Sequence, residues 1–283
     1  MKISFGMIVF NGNQVLKECL ESIYPYAHEI LIAEGPVKYW QDKGHTTSTD
    51  GTNEILHNFP DPENKIKINH GQYNEKEHQC NEYIKMIDIK SDYIWHIDCD
   101  EIYKPEDIEK IIELLKKEKY TKVGFKTYSF FGGFDRYIGG FVENFEFIRI
   151  FKYEYGAYWN NHRPPDLYYP TTKRRKSQFK HKYLMGEELD KIGIRIYHYS
   201  WISQNQVYNK MEYYKDNISR DISIDNYMND LYLPWVNGDE NIKMEIENKY
   251  NGVHEFKPEF RTETFTKKFE IEHPEVIKKI ISK

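Results

Sequence analysis

Three carboxylates stand together at the end of an apolar segment: Asp98, Asp100 and Glu101 follow residues 93–97. The segment is rich in β-prone residues, and a buried strand that ends in acids carries them to one edge of a sheet. Ligands bind at the carboxyl edge of open α/β sheets, and carboxylate oxygens are ligands that hard divalent cations prefer. The pattern therefore predicts a divalent-metal site, although a solvated acidic turn produces the same short string.

The elements before these acids alternate between strand and helix patterns. Such alternation predicts a mostly parallel central sheet with helices on both faces, which is an α/β fold. Polar residues end the first, second and fourth strands (Asn11, Glu34 and Asp98), so these side chains meet at one edge. The predicted strands are residues 3–10, 29–34, 65–69 and 93–97. One helix is predicted to begin at residue 15 and another after the start signal at residues 48–52. Two more helices are predicted over residues 75–89 and 105–117.

The pattern changes after about residue 123. We predict aromatic-rich strands at 122–130 and 144–153, loops over 156–190, a strand at 192–201, and helices at 205–219 and 274–281. The simplest division is an α/β domain over residues 1–218 and a mixed C-terminal extension over 219–283. The extension carries no motif that indicates its role. It could shape an acceptor site, mediate dimerisation or lie against a membrane surface.

Composition excludes several classes of protein. The chain has 283 residues and a net charge of −5, which argues against a general binder of nucleic acids or anionic membranes. Its three cysteines (Cys19, Cys80 and Cys99) have unrelated spacings that suggest neither a disulfide framework nor a zinc site. No stretch approaches eighteen apolar residues. We expect a soluble cytoplasmic protein, with contact to the inner face of a membrane left open.

Several short motifs taken together resemble the family-two inverting glycosyltransferases, which have the nucleotide-binding GT-A fold. The resemblance covers residues 1–218, with a nucleotide-sugar half over about 1–103 and an acceptor half over about 104–218. A later motif, His198-Tyr199-Ser200-Trp201, with Lys210 and a tyrosine pair after it, is similar to the short bacterial branch that includes lipopolysaccharide-core glucosyltransferases. The other matching segments are residues 3–11, 19–23, 29–34, 48–52, 79–81 and 93–101.

The resemblance implies a metal-dependent transfer of sugar from a nucleoside-diphosphate sugar, with a UDP-sugar as the first expectation. Asp100 is expected to ligate Mn²⁺ or Mg²⁺, and Asp98 to bind ribose hydroxyls or the metal through water. His198 is a candidate for a further metal or diphosphate contact, although such a histidine is as often structural. Glu34 and Asp50 are expected to accept hydrogen bonds from the base or ribose, and Asp50 also suits the N-cap of the following helix.

Further residues of the nucleotide pocket are implied in the same way. Phe10 and Asn11 are expected to form a wall of the base pocket, with ordinary core packing as the alternative for Phe10. Gln79 and Asn81 are expected to face the same region from their helix. Three aromatic residues are candidates for stacking on sugar rings, although core packing accounts for them equally: Tyr158, Trp159 and Trp201.

Inversion requires a carboxylate base that takes the proton from the acceptor hydroxyl. Short members of the resembled family carry a His-Glu pair after the aromatic strands, and this chain has His162 followed by Asp166 there. Asp166 is therefore our first candidate for the base, with Glu188 or Glu187 next, and a surface-loop acid is the alternative interpretation. The acceptor, a glycan or glycoconjugate, and the oligomeric state are not indicated by the sequence.

Two departures from the family pattern lie beside the expected pocket. Residues 35–47 are an insertion between Glu34 and the 48–52 motif, and Cys80 stands where the family usually has arginine. A nucleotidyltransferase on a similar fold remains an alternative, although the loop from Asn11 to Gln14 lacks the basic residue that such enzymes usually place there. A non-catalytic sugar-nucleotide-binding scaffold is the other alternative, and the intact acids argue against it.

Overall fold

A computed structural model describes residues 1–169, 182–217, 223–253 and 263–282. No helix in these ranges is both long and apolar enough to cross a membrane. The strands are β1 (Ile3–Val9), β2 (Glu29–Glu34), β3 (Ile66–His70), β4 (Tyr93–Asp98), β5 (Glu101–Ile102), β6 (Lys122–Phe125), β7 (Thr127–Phe131), β8 (Arg136–Ile138), β9 (Phe147–Lys152), β10 (Tyr158–His162), β11 (Pro165–Tyr168), β12 (Tyr183–Leu184), β13 (Ile196–Trp201) and β14 (Thr266–Lys268).

The helices include several of a single turn. They are α1 (Leu16–Ile23), α2 (Lys38–Gln41), α3 (Thr52–Asn58), α4 (Lys76–Ile84), α5 (Pro105–Glu118), α6 (Phe141–Asn144), α7 (Gly186–Asp190), α8 (Gln204–Asn217), α9 (Ile224–Asn226), α10 (Leu233–Asn237), α11 (Glu240–Tyr250) and α12 (Glu275–Ile281). A 3₁₀ turn follows α1 at Tyr24–Tyr26, and a π-helical segment, Tyr227–Tyr232, joins α9 to α10.

The chain divides into two compact units, and each is assembled from two separate stretches of sequence. The first unit comprises residues 1–125 and 146–195, and the second comprises residues 126–145 and 196–283. The boundary at residue 218 that the sequence suggests stays a prediction.

The first unit is built on a seven-stranded sheet in the order β12-β6-β9-β4-β1-β2-β3. Strands β1 to β4 run parallel to one another, and β9 runs antiparallel to its neighbours β4 and β6. The mostly parallel central sheet predicted from the sequence is therefore confirmed. Every residue of β2 is buried, as expected for a strand covered on both faces.

Strand order explains where polar side chains gather in this unit. The chain moves from β1 to β2 to β3 and then returns to the other side of β1 for β4. Right-handed crossovers then place α1 and α3 on one face and α4 on the other. The register pairs Glu34 with Val9 and His70, and pairs Asp98 with Ile8. The carboxyl ends of the four parallel strands thus form one edge, which we call the acidic edge.

Two predicted elements differ in extent from what their patterns suggested. The helix predicted to residue 89 ends at Ile84, because the backbone N–H of Asp88 instead donates to Glu29 Oε1 at 2.7 Å. The strand predicted over 122–130 is divided at Lys126 into β6 and β7, which belong to different units. Within residues predicted to be loops, Tyr158–His162 and Pro165–Tyr168 pair as an antiparallel hairpin.

The second unit contains a sheet in which β14, β8, β7 and β13 lie side by side, with β7 and β13 parallel. Phe130 and Tyr199 stack on this sheet with ring centroids 4.5 Å apart. Phe131 makes edge contacts with Tyr232 and Trp235 at 5.5 and 4.9 Å. The core of the second unit is therefore rich in aromatic side chains. The same core also includes Ile138, Val142, Trp201, Val207, Met211, Tyr227, Met228, Leu231, Ile246 and Val253.

Candidate functional site

A buried arginine organises the acids at the end of β4. Arg149, on the neighbouring strand β9, donates from Nη2 to Asp98 Oδ2 at 2.6 Å and from Nε to Glu101 Oε1 at 3.0 Å. Glu101 is fully buried, and Glu101 Oε2 accepts from the Tyr103 hydroxyl at 3.3 Å. One guanidinium therefore fixes the positions of two carboxylates.

Glu101 does not cap the helix that follows it. The N-cap position of α5 is Lys104, and Glu101 lies on β5 in an ion pair with Arg149. Burial alone lowers the pKa of Arg149, but the Asp98 and Glu101 carboxylates outweigh burial and raise it above its ordinary value. The guanidinium consequently stays charged and pairs with the Glu101 carboxylate inside the protein.

The donor set at this end of β4 fits a hard divalent cation. The Asp98 side chain is 32% exposed and is held by Arg149 through one oxygen, and Asp100 follows two residues later. The formal charges of Asp98, Asp100, Glu101 and Arg149 sum to −2. Carboxylate oxygen and excess negative charge are what Mg²⁺ or Mn²⁺ requires. Asp98 and Asp100 are thus the residues that would hold such an ion.

Glu34 and Asn11 fasten the 47–50 loop to the acidic edge. Glu34 Oε1 accepts from the Ser48 backbone N–H at 2.9 Å, and Glu34 Oε2 lies 3.0 Å from His70 Nδ1. Asn11 has a left-handed backbone with φ of 49°, and its side-chain oxygen accepts from the Thr49 N–H at 2.9 Å. The structure therefore brings both predicted residues to the same loop, and their contact with a nucleotide stays a prediction.

Asp50 holds the start of α3. Its carboxylate accepts from the Thr52 N–H at 3.0 Å, from the Thr52 hydroxyl at 2.6 Å, and from the Asn13 N–H at 3.1 Å. Gly51, and not Asp50, occupies the N-cap position of α3, so the N-cap interpretation is wrong by one residue. Asp50 stands just before the cap and still accepts from the N–H of Thr52, the first residue of the helix. Its predicted role in nucleotide binding stays a prediction.

The insertion at residues 35–47 packs over Phe10. It contains the short helix α2, and the ring centroids of Trp40 and His45 lie 5.9 and 5.5 Å from that of half-buried Phe10. Lys43 lies 4.5 Å from the centroid of Tyr39. The insertion therefore covers part of the half-buried Phe10 ring, and the place of Phe10 in a base pocket stays a prediction.

Gln79 and Asn81 use their amides to join elements of the protein. Gln79 is buried, and its Nε2 donates to the backbone oxygens of Ala33 at 2.8 Å and Gly35 at 3.2 Å. Asn81 forms two 2.8 Å hydrogen bonds, one with the N–H and one with the carbonyl of Trp159. These are structural bonds that the sequence did not suggest, and they connect α4 to β2 and to the hairpin.

The candidate bases lie in two places within the first unit. Asp166 is on β11 and accepts from the Asn160 side chain at 3.3 Å. Glu188 is on α7 and accepts from the Met185 N–H at 3.0 Å, which is a helix-start bond, while exposed Glu187 pairs with Lys191 at 3.2 Å. The identity of the base stays a prediction.

The aromatic candidates for sugar stacking differ in exposure. Trp159 is 2% exposed and Trp201 is 4% exposed, so both are core residues and cannot offer a ring face to a sugar. Tyr158 is 41% exposed and keeps its ring accessible. His198 lies on β13 of the second unit, beside Ser129 in the register. The basic run at residues 173–176 lies outside the described residues.

Arg149 and His96 are important residues that sequence reasoning missed. Arg149 had a signal, since it is a cation placed between apolar residues within the strand Phe147–Lys152, whereas Lys152 lies at the exposed end of that strand. His96 stands two residues before Asp98 on β4 and is fully buried, and burial lowers its pKa to about 3. Burial, with Lys76 and His96 adding to it, likewise lowers the pKa of His162 well below its ordinary value. Both imidazoles are therefore neutral at physiological pH.

Comparison with known proteins gives partial matches to glycosyltransferases. The chain is 28% identical over 122 residues to the SPbeta prophage-derived glycosyltransferase SunS of Bacillus subtilis (strain 168). The aligned segment covers 43% of this chain and 25% of that protein. The glycosyltransferase SunS of Bacillus phage SPbeta matches with the same values. The chain thus spans about a quarter of the length of these relatives.

Among solved structures, S. aureus TarS 1–349 in complex with UDP-GlcNAc is 16% identical, with a TM-score of 0.35, over 46% of this chain and 35% of that one. The 4-diphosphocytidyl-2C-methyl-D-erythritol synthase from Anaerococcus prevotii DSM 20548 is 17% identical, with a TM-score of 0.34, over 53% of this chain and 70% of that one. Both overlaps are partial.

The family model named Glycosyl transferase family 2 matches residues 45–207, which is more than half of the chain. The matched segment includes the acids at the end of β4, Arg149 and the hairpin. The GT-A fold class that the sequence implied is confirmed by this match together with the mixed α/β sheet of the first unit. The finer likeness to the lipopolysaccharide-core branch stays a prediction. On this match and this fold, the chain belongs to glycosyl transferase family 2.

Proposed function

We propose that the protein transfers a sugar from a nucleoside-diphosphate sugar to a hydroxyl group of a glycan or glycoconjugate, with inversion at the anomeric carbon. One observation carries this proposal: Asp98 and Asp100 lie at the carboxyl end of β4 in a family-two domain, and Arg149 fixes the Asp98 carboxylate there. This is the edge at which open α/β sheets bind their ligands.

The residues of the acidic edge divide the work of donor binding. Asp100 ligates Mn²⁺ or Mg²⁺, and Asp98 binds the ribose hydroxyls or reaches the ion through water. Such an ion, when bound, neutralises the charge that develops on the departing diphosphate. Arg149 keeps the Asp98 carboxylate in one orientation, so that little ordering is needed when the donor arrives.

A separate carboxylate must take the proton from the attacking hydroxyl, because Asp98 and Asp100 serve the donor. Asp166 is our first candidate, and Glu188 is the second. Asp166 lies on the hairpin that Asn81 joins to α4. The attachment of this hairpin to α4 supports a fixed position for Asp166.

The donor is tested by thermal unfolding with UDP, GDP and CMP, each with and without Mn²⁺. We expect stabilisation by one nucleoside diphosphate, with UDP as the first candidate, and only when Mn²⁺ is present. No response to any nucleotide would overturn the proposal. Release of pyrophosphate from a nucleoside triphosphate, in place of release of a nucleoside diphosphate, would indicate a nucleotidyltransferase.

Two substitutions separate donor binding from chemistry. Asp100→Ala is expected to abolish both transfer and Mn²⁺-dependent stabilisation by the nucleotide, while circular dichroism stays unchanged. Asp166→Asn is expected to keep donor binding and lose turnover. Glu113→Ala, which removes an exposed acid from α5, is the matched control and should change neither property. Normal turnover in Asp100→Ala would refute the metal assignment, and normal turnover in Asp166→Asn would move the search to Glu188.

A further inference from the structure

Three metal-ligand side chains converge in the first unit, apart from the carboxylates of the acidic edge. They are Cys80 on α4, His96 on β4 and His162 at the end of β10, and their ligand atoms all lie within 4.8 Å of one another. Cys80 and His96 are buried and His162 is partly buried. Thiolate and imidazole are borderline-soft ligands, which select ions of a different class from those that carboxylates select.

The separation of two of these ligand atoms, one on Cys80 and one on His162, matches the coordination shell of zinc. Cys80 Sγ lies 3.6 Å from His162 Nδ1. In a tetrahedral site, the usual Zn–S and Zn–N bond lengths place sulfur and nitrogen about 3.6 Å apart. An ion can therefore bind both atoms without moving either element.

His96 supplies an independent sign of a ligand. Its Nε2 is buried and has no hydrogen-bond partner within the described ranges, while its Nδ1 lies 2.9 Å from the Tyr83 hydroxyl. A buried polar atom without a partner destabilises the fold, so such atoms are usually satisfied by another group. If Tyr83 accepts from Nδ1–H, the Nε2 lone pair remains for a metal. A metal-bound histidine typically donates its other ring N–H to an acceptor in this way.

We propose that Cys80, His96 and His162 form a binding site for Zn²⁺, distinct in ligand class from the carboxylate site of the acidic edge. Binding replaces the thiol proton of Cys80, which leaves to solvent, and forms one Zn–S bond and two Zn–N bonds. Three protein ligands leave the fourth tetrahedral position for water. Because His162 is only partly buried, solvent reaches this side of the site.

The ion has a structural consequence for the hairpin that carries Asp166. Cys80 and Asn81 are adjacent on α4, and Asn81 already holds Trp159 of β10 through two hydrogen bonds. A bond from the ion to His162 adds a third attachment at the far end of the same strand. The zinc ion therefore fastens both ends of β10 to α4 and β4 and restricts the position of Asp166.

The rival explanation is a thiol–imidazole hydrogen bond between Cys80 and His162 without any ion. Cobalt substitution separates the two. The full chain is purified without an affinity tag, stripped with a chelator and titrated with Co²⁺. We expect one equivalent of Co²⁺ to produce a thiolate-to-cobalt charge-transfer band in the near ultraviolet and tetrahedral bands in the visible. Zn²⁺ should then displace the cobalt. Absence of the charge-transfer band would overturn the proposal.

Variants assign the ligands. Cys80→Ser should remove the charge-transfer band, and His162→Gln should weaken Co²⁺ binding by more than the roughly 10–100-fold that loss of an outer-shell partner causes. His78→Gln is the matched control, because His78 is exposed on the same helix, and it should bind Co²⁺ like the native protein. Unchanged Co²⁺ spectra in both ligand variants, with native circular dichroism, would also refute the site.

The outcome of the cobalt titration does not depend on the proposed transferase activity. Asp100→Ala should retain the cobalt spectrum while losing the nucleotide response. A protein that binds no nucleotide and still shows the thiolate–cobalt band would refute the proposed function and support the zinc site.

Discussion

One guanidinium determines how the acids at the end of β4 are presented. Arg149 is buried between Asp98 and Glu101, so its charge is matched by Glu101 inside the protein and by Asp98 at the surface. These two ion pairs are not by themselves a large source of stability, because the charged groups lose their hydration on burial. Its effect is positional, because it sets the direction of a carboxylate that we propose binds the donor.

Removing the Arg149 side chain should lower the stability of the fold, because the Glu101 carboxylate would then be buried without an ion-pair partner. We expect Arg149→Met to lower the free energy of unfolding by about 3–5 kcal/mol, since Glu101 would be left buried without its partner. Urea denaturation measures the loss. The double variant Arg149→Met with Glu101→Gln should recover part of it, because no charge is then buried. A single variant as stable as the native protein would contradict this account.

Asp107, in the first turn of α5, gives a pH-dependent prediction. Burial, with Glu106 adding to it, raises the pKa of Asp107 from 3.8 to about 6. The folded state holds this proton more tightly than the unfolded state, so its stabilising contribution is full below pH 3.8 and is lost as the pH rises through about 6. Above that pH, ionised Asp107 destabilises the fold.

We therefore expect Asp107→Asn to raise the free energy of unfolding at pH 8 by about 2 kcal/mol. The gain should disappear below a pH of about 4, where Asp107 is protonated in both states. Urea denaturation at a series of pH values measures both. Glu113→Gln on the same helix is the exposed control, and an equal gain at every pH would contradict the assignment to Asp107.

At the scale of elements, one side chain of α4 supplies two of the hydrogen bonds that attach this helix to the hairpin. Asn81 satisfies both backbone groups of Trp159. Asn81→Ala should lower the free energy of unfolding by about 1–3 kcal/mol, because it leaves a backbone donor and acceptor without partners. It should also speed amide hydrogen exchange in β10 and β11. Lys85→Ala, exposed near the end of α4, should leave the exchange unchanged, and equal exchange in both variants would contradict the role of Asn81.

The sequence predicted the buried parallel strands well and the hairpin poorly. Strands β1, β2 and β4 are apolar runs, and burial on both faces is what makes such runs recognisable. The hairpin strand β10 contains Asn160 and Asn161 and is largely exposed, so no apolar alternation marked it. Its position comes instead from Asn81, and a single asparagine in a helix does not disclose its distant partner.

The candidate site was predictable to a similar degree. The acids after β4 were visible because three of them follow an apolar strand, and Glu34 and Asn11 were visible because they end neighbouring strands. The Cys80–His96–His162 cluster was not visible, since its members are 16 and 66 residues apart in sequence and only the tertiary fold joins them. Metal-site spacing in a sequence reveals local ligand pairs and misses ligands of this kind.

At the scale of the whole molecule, the units do not follow the order of the chain. Residues 126–145 supply β7 and β8 to the second unit, and the strands and helices after residue 196 complete it. Phe131 on β7 packs against Tyr232 and Trp235 from the last third of the chain. Removal of the C-terminal residues is therefore expected to expose an aromatic core.

Truncation at residue 218 tests this dependence. We expect the fragment 1–218 to aggregate or to lose cooperative unfolding of its second unit, because Phe131, Val207 and Met211 would lose their partners. Solubility and calorimetry measure the effect, and deletion of only residues 282 and 283 is the control. A soluble fragment with the native unfolding transition would instead support an independent domain ending at 218.

The order of strands in the central sheet has a consequence for synthesis on the ribosome. Strand β4 lies between β1 and β9, and β9 begins about 50 residues after β4 ends. At typical elongation rates, roughly 2–10 seconds pass between the two. Any parallel strands that pair during this interval would have the β4 edge uncovered, and an uncovered edge is able to pair wrongly with other chains. The codons for residues 99–146 therefore govern how long each new molecule is vulnerable to aggregation before β9 covers that edge.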